Sequence, residues 1–183
     1  DNLYSDHHFY ISNQKQAGKN NWVLLDSLGN ALNTKPYDHI HPFNGKIFPV
    51  VNRNYWGALN TSGKEIIACA YDSILQQVDE NIVVKFRGQY GIVNLKEEWI
   101  VTPRPNKLKL ITDQRFIEIT PRMTFLKSLD GNTIYFSENK LDISAAHIIE
   151  YLPSGTLWEI DLNGVIVNRQ VQPEGSIEKI FPE

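Results

Sequence analysis

Short apolar segments alternate with polar breaks along this chain, and the breaks carry turn residues. Between positions 73 and 102 the segments 73–78, 82–86, 89–95 and 99–102 are parted by Asp79-Glu80-Asn81, Arg87-Gly88 and Lys96-Glu97-Glu98. Breaks that short are hairpin turns, and hairpins force antiparallel neighbours, so the pattern predicts a four-stranded meander. The pattern then repeats at a period of 34 residues: Trp22, Trp56, Tyr90 and Thr124 lead the third strand of successive copies, and Leu157, with Trp158 beside it, leads a fifth one residue early. That strand ends in a small polar residue, Asp26, Asn60, Asn94, Ser128 or Asp161, and three residues further on stand Gly29, Gly63, Glu97, Gly131 and Gly164. Glycine supplies the positive φ of a tight hairpin, and the polar side chain before it bonds back to the turn backbone. The column therefore reads as turn chemistry rather than catalysis.

Five copies nearly account for the 183 residues, leaving no room for a separate catalytic domain or a Pro, Gly or Ser linker, so residues 1–183 read as one domain. A four-stranded sheet cannot bury both faces alone, and the copies must stack. The predicted fold is all-β: five tandem antiparallel meander repeats in a small five-bladed propeller-like ring, with an open β-solenoid of stacked hairpins as the alternative. The chain ends favour the ring. The first copy has strands at 9–11, 22–26 and 31–33 but only Leu3-Tyr4 as a stub of its first strand, while the segment 176–181, past Pro173, reads as a spare first strand. Pairing the two would close the ring and remove sheet edges that invite aggregation.

The unit resembles the bacterial WG repeat, named for its tryptophan-glycine pair. The likeness is clearest in copy two, where Tyr55-Trp56-Gly57-Ala58-Leu59-Asn60 runs into Thr61-Ser62-Gly63-Lys64-Glu65-Ile66-Ile67 and then Tyr71-Asp72-Ser73-Ile74. Copy one keeps Trp22, Asp26, Gly29, Pro36 and Tyr37-Asp38 with Val23 in place of the glycine, and copy three keeps Tyr90-Gly91. Thr124-Phe125 and Trp158-Glu159 depart from the pair. The resemblance implies a bacterial, repetitive, all-β protein with a binding or scaffolding role and no catalytic residues to carry over.

Composition narrows the classes. A formal net charge of −3 argues against duplex nucleic acid as a partner. No apolar run approaches a membrane span. The chain opens on Asp1 without Met or a basic-then-apolar leader, which reads as a processed mature chain or a piece cut from a longer one. With the family likeness, that places it in a secreted, periplasmic or cell-surface setting, with the cytoplasm as the alternative. The single cysteine, Cys69, lies in the apolar run 66–70 and reads as a buried, inert thiol.

Three constellations remain. The turn between strands two and three carries a cation in four copies, Lys19, Arg53, Arg87 and Arg122, and these are the candidate binding residues for a carboxylate, a phosphate or an acidic protein loop. In copy one this turn swells into the polar loop 12–21. The aromatic column Trp22, Trp56, Tyr90, Trp158 reads as packing between sheets, with sugar binding as its competitor. His39 and His41 alternate along a strand and would share a side, but no cysteine or fixed carboxylate completes a metal site, so no metal or cofactor is expected. The motifs of serine hydrolases, zinc proteases, phosphate loops and dithiol sites are absent. The sequence thus reads as a non-enzymatic module that presents loops to a protein or polymer partner. A carbohydrate or cell-wall binder, and an enzyme with a site in the central channel using His39 or His41, are the alternatives.

Overall fold

The apolar segments fold as strands and the polar breaks as their turns. The protein's structure, a computed structural model, describes residues 2–3, 9–14, 18, 21–143 and 147–171, and every regular element among them is a β-strand. Two compact units divide the chain, Asp1–Pro105 and Asn106–Glu183.

The first unit holds three sheets. β1 (Asn2–Leu3), β2 (Tyr10–Asn13) and β3 (Trp22–Leu25) form the first; β4 (His39–Ile40), β5 (Phe48–Asn52), β6 (Tyr55–Leu59) and β7 (Glu65–Tyr71) form the second; β8 (Ser73–Val78), β9 (Asn81–Phe86), β10 (Gln89–Asn94) and β11 (Trp99–Arg104) form the third. The second unit holds two. The fourth sheet comprises β12 (Lys107–Leu110), β13 (Arg115–Ile119), β14 (Thr124–Ser128) and β15 (Thr133–Ser137), and the fifth comprises β16 (Lys140–Ile143), β17 (His147–Tyr151), β18 (Thr156–Asp161) and β19 (Ile166–Val171). Each sheet is an antiparallel meander in chain order. The strands expected in copy three fall within two residues of β8 to β11.

Copy one departs from expectation. No strand forms at 31–33, where only isolated bridges link Leu25 to Ala31 and Trp22 to Tyr37. A side chain takes the place of the ladder: Asn33 Oδ1 accepts from Leu24 N at 2.6 Å, and Asn33 Nδ2 donates to the Lys35 carbonyl at 2.5 Å. The expected closing segment, 176–181, lies outside the described residues.

Strand alternation decides what each sheet buries. In the first unit Leu24 of β3 packs with Ile40, Phe48, Val50 and Leu59 of the second sheet. On that sheet's other face, Ala58 and Ile67 meet Ile82, Val84 and Val93 of the third. In the second unit Leu126 of β14 meets Ile148 and Ile160 of the fifth sheet. Each such buried Leu, Ile, Val or Phe side chain contributes about 1.5–3 kcal/mol, which a lone sheet would forfeit on one face.

The glycine of the tryptophan-glycine pair has a packing cause. A Cβ on Gly57 would lie 2.6 Å from the Ile67 carbonyl oxygen and 2.8 Å from Cys69 N, and one on Gly91 would lie 2.5 Å from the Trp99 ring. Both sit where the register slips, between Trp56 and Ala58 against β7 and between Tyr90 and Ile92 against β11. Copies four and five, with Phe125 and Trp158 there, pair without a slip at that point and shift only one step later. Glycine is the residue that lets the fourth strand bulge inward.

Candidate functional site

The polar marker column is turn machinery. Asp26 Oδ1 accepts from Leu28 N and Asn30 N at 2.9 and 2.8 Å, Asn60 Oδ1 from Ser62 N and Lys64 N at 3.0 Å each, and Asn94 Oδ1 from Lys96 N and Glu98 N at 2.9 Å each. Asp161 repeats the pattern with Asn163 N and Val165 N at 2.9 and 2.8 Å. In copy four Ser128 is too short for this, and its hydroxyl instead bonds the Asp130 carboxylate. The bond from the Asn30 side chain holds the Asp26 carboxyl below the usual range, and the bond from Val165 N does the same for Asp161. The residue three further on is left-handed in all five copies, with φ of 84°, 76°, 64°, 95° and 82° at Gly29, Gly63, Glu97, Gly131 and Gly164. Glu97 adopts that conformation without being glycine, and its carboxylate accepts from Ala68 N at 3.1 Å and hydrogen-bonds the Tyr71 hydroxyl.

Of the four candidate cations, three are described. Arg53 and Arg87 are exposed at the first position of the two-residue turns β5–β6 and β9–β10, both at φ 52°. Such turns require positive φ. Asp38 Oδ2 accepts from Arg53 N at 2.5 Å, and Asp72 Oδ2 accepts from Gly88 N at 2.7 Å. The aspartate of each Tyr-Asp pair thus pins the cationic turn of the sheet it opens. The Arg87 guanidinium lies 5.1 Å from the Phe86 ring centroid. Arg122 is exposed on a different turn, closed by Thr120 N to the Met123 carbonyl at 2.9 Å. Lys19 and half of the 12–21 loop, residues 15–17, 19 and 20, lie outside the described residues.

The tyrosine of the same pair is a bolt between sheets. Tyr37 is buried, and its hydroxyl donates to Glu65 Oε2 at 2.7 Å, which Lys35 Nζ also reaches at 2.9 Å. Burial, then Glu65, pushes the Tyr37 phenol far above its ordinary value. Cys69 is half-buried rather than enclosed, with Sγ 3.9 Å from Glu65 Oε2. Burial and then the Glu65 charge push its thiol up to about 11, so it stays protonated and unreactive at neutral pH.

In copies four and five the aspartates give way to Asn106 and Asn139, which donate at 2.8 Å to Glu118 and at 2.7 Å to Glu150. Those glutamates occupy the strand-two site held by Val50 and Val84, opposite Phe125 and Trp158 where the earlier copies have Gly57 and Gly91. Both are buried and satisfied: Glu118 by Lys127 Nζ at 2.8 Å, Glu150 by the hydroxyls of Tyr135 and Ser137. The exchange of a glycine-valine pair for an aromatic-glutamate pair left no signal in a search for catalytic spacing. Pairing partners across strands would have exposed it.

The aromatic column packs as expected, with one correction. Leu157 is the residue in phase with Trp56. Trp158 points to the opposite face, where it joins the Ile148 and Ile160 cluster and carries the Arg169 guanidinium 5.3 Å from its ring. Trp22 and Trp56 bracket the two histidines. Ring centroids run Trp22 to His39 at 4.9 Å, His39 to His41 at 4.4 Å, and His41 stacked on Trp56 at 4.5 Å. Burial, then the neighbouring His39, lowers the His41 pKa. No cluster of three metal-ligating side chains occurs among the described residues.

This architecture defines an all-β repeat protein of propeller-like fold. Residues 56–85, running from β6 into β9, match the WG containing repeat. Similar solved structures include a eukaryotic initiation factor (TM-score 0.58, 10% identity, 90% of this chain and 51% of that one). Kluyveromyces lactis Hsv2 follows at TM-score 0.50, 9% identity and coverage of 87% and 59%, and Kluyvelomyces marxianus Hsv2 at 0.50, 10%, 98% and 63%. The chain therefore spans less than two thirds of the length of these structures, and at such identities the likeness is one of fold alone. No curated protein matches the chain.

Proposed function

We propose that this protein is a non-enzymatic binding and scaffolding module, working outside the cytoplasm, whose cationic hairpin tips engage an acidic segment of a protein or polymer partner. The observation that carries this reading is the pair of exposed arginines, Arg53 and Arg87, held at φ 52° on turns that Asp38 and Asp72 pin from the adjoining strand. An arginine at a left-handed position costs backbone energy that asparagine or glycine would spare, and its charge stands on a rigid support. Lys19 and Arg122 extend the same column in sequence.

The sugar-binding alternative needs a free aromatic face, and each tryptophan has a neighbouring group against its ring, Trp99 keeping 37% of its surface exposed. His41 covers Trp56, His39 abuts Trp22, Arg169 lies over Trp158, and Trp99 sits 6.0 Å from both Tyr71 and Phe86. The enzymatic alternative needs a pocket of a few hundred Å³ with converging titratable groups. The cleft on the fifth sheet, about 40 Å³, is too small for that, and Glu118 and Glu150, buried carboxylates among the described residues, are spent on internal hydrogen bonds.

The test compares the protein with a variant carrying Lys19→Ser, Arg53→Asn, Arg87→Asn and Arg122→Ser, asparagine being chosen because it tolerates the left-handed turn. Partners captured from envelope and cytosolic fractions are identified by mass spectrometry. A partner with an acidic segment that the folded variant no longer retains supports the reading. Retention of the same partner by both proteins sinks it and moves the site to the 12–21 loop.

A further inference from the structure

One core position changes character in the last copy. Two residues before the polar marker the chain reads Leu24, Ala58, Ile92, Leu126 and Glu159. The first four are 0% exposed. For three of them the covering layer is the following sheet of the same unit: Leu24 under the second, Ala58 under the third, Leu126 under the fifth.

Glu159 occupies the equivalent place on the face of the fifth sheet that points away from Ile148, Ile160 and the fourth sheet. It pairs with Ile149 on β17 and Asn168 on β19, and with Leu157 and Gln170 these residues line the shallow cleft. Its side chain is 32% exposed, with Oε1 3.5 Å from His147 Nδ1. Oε2 lies 3.5 Å from Asn168 Nδ2. Where the earlier sheets present a closed apolar centre, this one presents a carboxylate, an imidazole and an amide between two aliphatic side chains.

Seating another sheet here would strip water from a carboxylate whose two protein neighbours stand at the limit of hydrogen-bond length. A charge buried that way outweighs the burial of Ile149 and Leu157. We propose that the outward face of the fifth sheet is a stop face: Glu159, with His147 and Asn168, bars the sheet-on-sheet stacking used by the earlier copies and keeps a second copy of the chain from seating there. Stacked repeats stay soluble by presenting a polar outer face where stacking stops.

Size-exclusion chromatography with light scattering on the full chain, over a wide concentration range, tests this. The unchanged protein is expected to stay monomeric. The double variant Glu159→Leu with His147→Val is expected to form dimers or larger species as concentration rises, and adding Leu157→Asp on the same face should return it to monomer. Should the double variant misfold, Glu159→Ala, which installs the residue copy two uses, serves in its place, with circular dichroism and the melting curve reporting the fold. A folded variant that remains monomeric throughout overturns the proposal. So does an unchanged protein that self-associates and loses the association on Leu157→Asp, because the face is then an interface.

Discussion

A single absent methyl group explains why glycine follows Trp56 in copy two and Tyr90 in copy three. Gly57→Ala would set a Cβ 2.6 Å from a backbone oxygen that cannot rotate away, so we expect a loss of about 1–3 kcal/mol in urea unfolding. Gly131→Ala meets open space and bears only the left-handed backbone penalty of φ 95°, about 1 kcal/mol. Equal losses at the two sites would refute the packing explanation. His41 makes a pH prediction. Its folded pKa lies below the unfolded value near 6.5, so the unfolded chain takes up the proton first as pH falls. The stability held by the neutral ring is intact above that value and declines as pH drops through the interval below it. Melting temperature should therefore fall on acidification from neutral pH, and His41→Phe, which keeps a ring against Trp56, should flatten the decline. The role of Gly57 was invisible in one dimension, because the atom it must avoid belongs to a strand ten residues away in sequence. The left-handed glycine column was legible, because the turn that demands it is local.

At the scale of the hairpin, turn chemistry could be read in advance and its anchors could not. Asp26, Asn60, Asn94 and Asp161 act on amides two and four residues on, within reach of a sequence argument. Asp72 acts on Gly88 across the sheet, and the Tyr-Asp pair showed only as a family marker. Asp72→Ala should cost about 1 kcal/mol and speed amide exchange selectively in the β9–β10 hairpin. Exchange that quickens evenly across the first unit would show that the bond is not local. In the second unit, Glu150→Gln keeps the shape but turns one acceptor into a donor facing Tyr135, Ser137 and Asn139. We expect a loss of about 1–3 kcal/mol by chemical denaturation. The missing strand at 31–33 belongs to this scale too: the apolar pattern was present, but the Asn33 side chain takes the Leu24 amide that a strand would have claimed.

For the whole molecule, a partner held by cationic turn tips should dissociate steeply as salt rises, and the four-residue variant should show a shallower slope, measured by titration at several ionic strengths. An affinity indifferent to salt would exclude the acidic-segment reading. The sequence by itself determined the all-β class, the number of repeats and the turn positions, because these follow from alternation, period and local backbone preference. Only the tertiary structure decided which side of each strand is covered, and so which residues are free to act. It turned Trp158 away from the aromatic column, committed Glu118 and Glu150 to internal bonds and left Glu159 partly exposed where the earlier copies bury an apolar side chain. The reason is that a strand's two faces look alike in sequence until a neighbouring sheet buries one of them, and burial is what converts a polar residue from a solvated side chain into a costly or purposeful one.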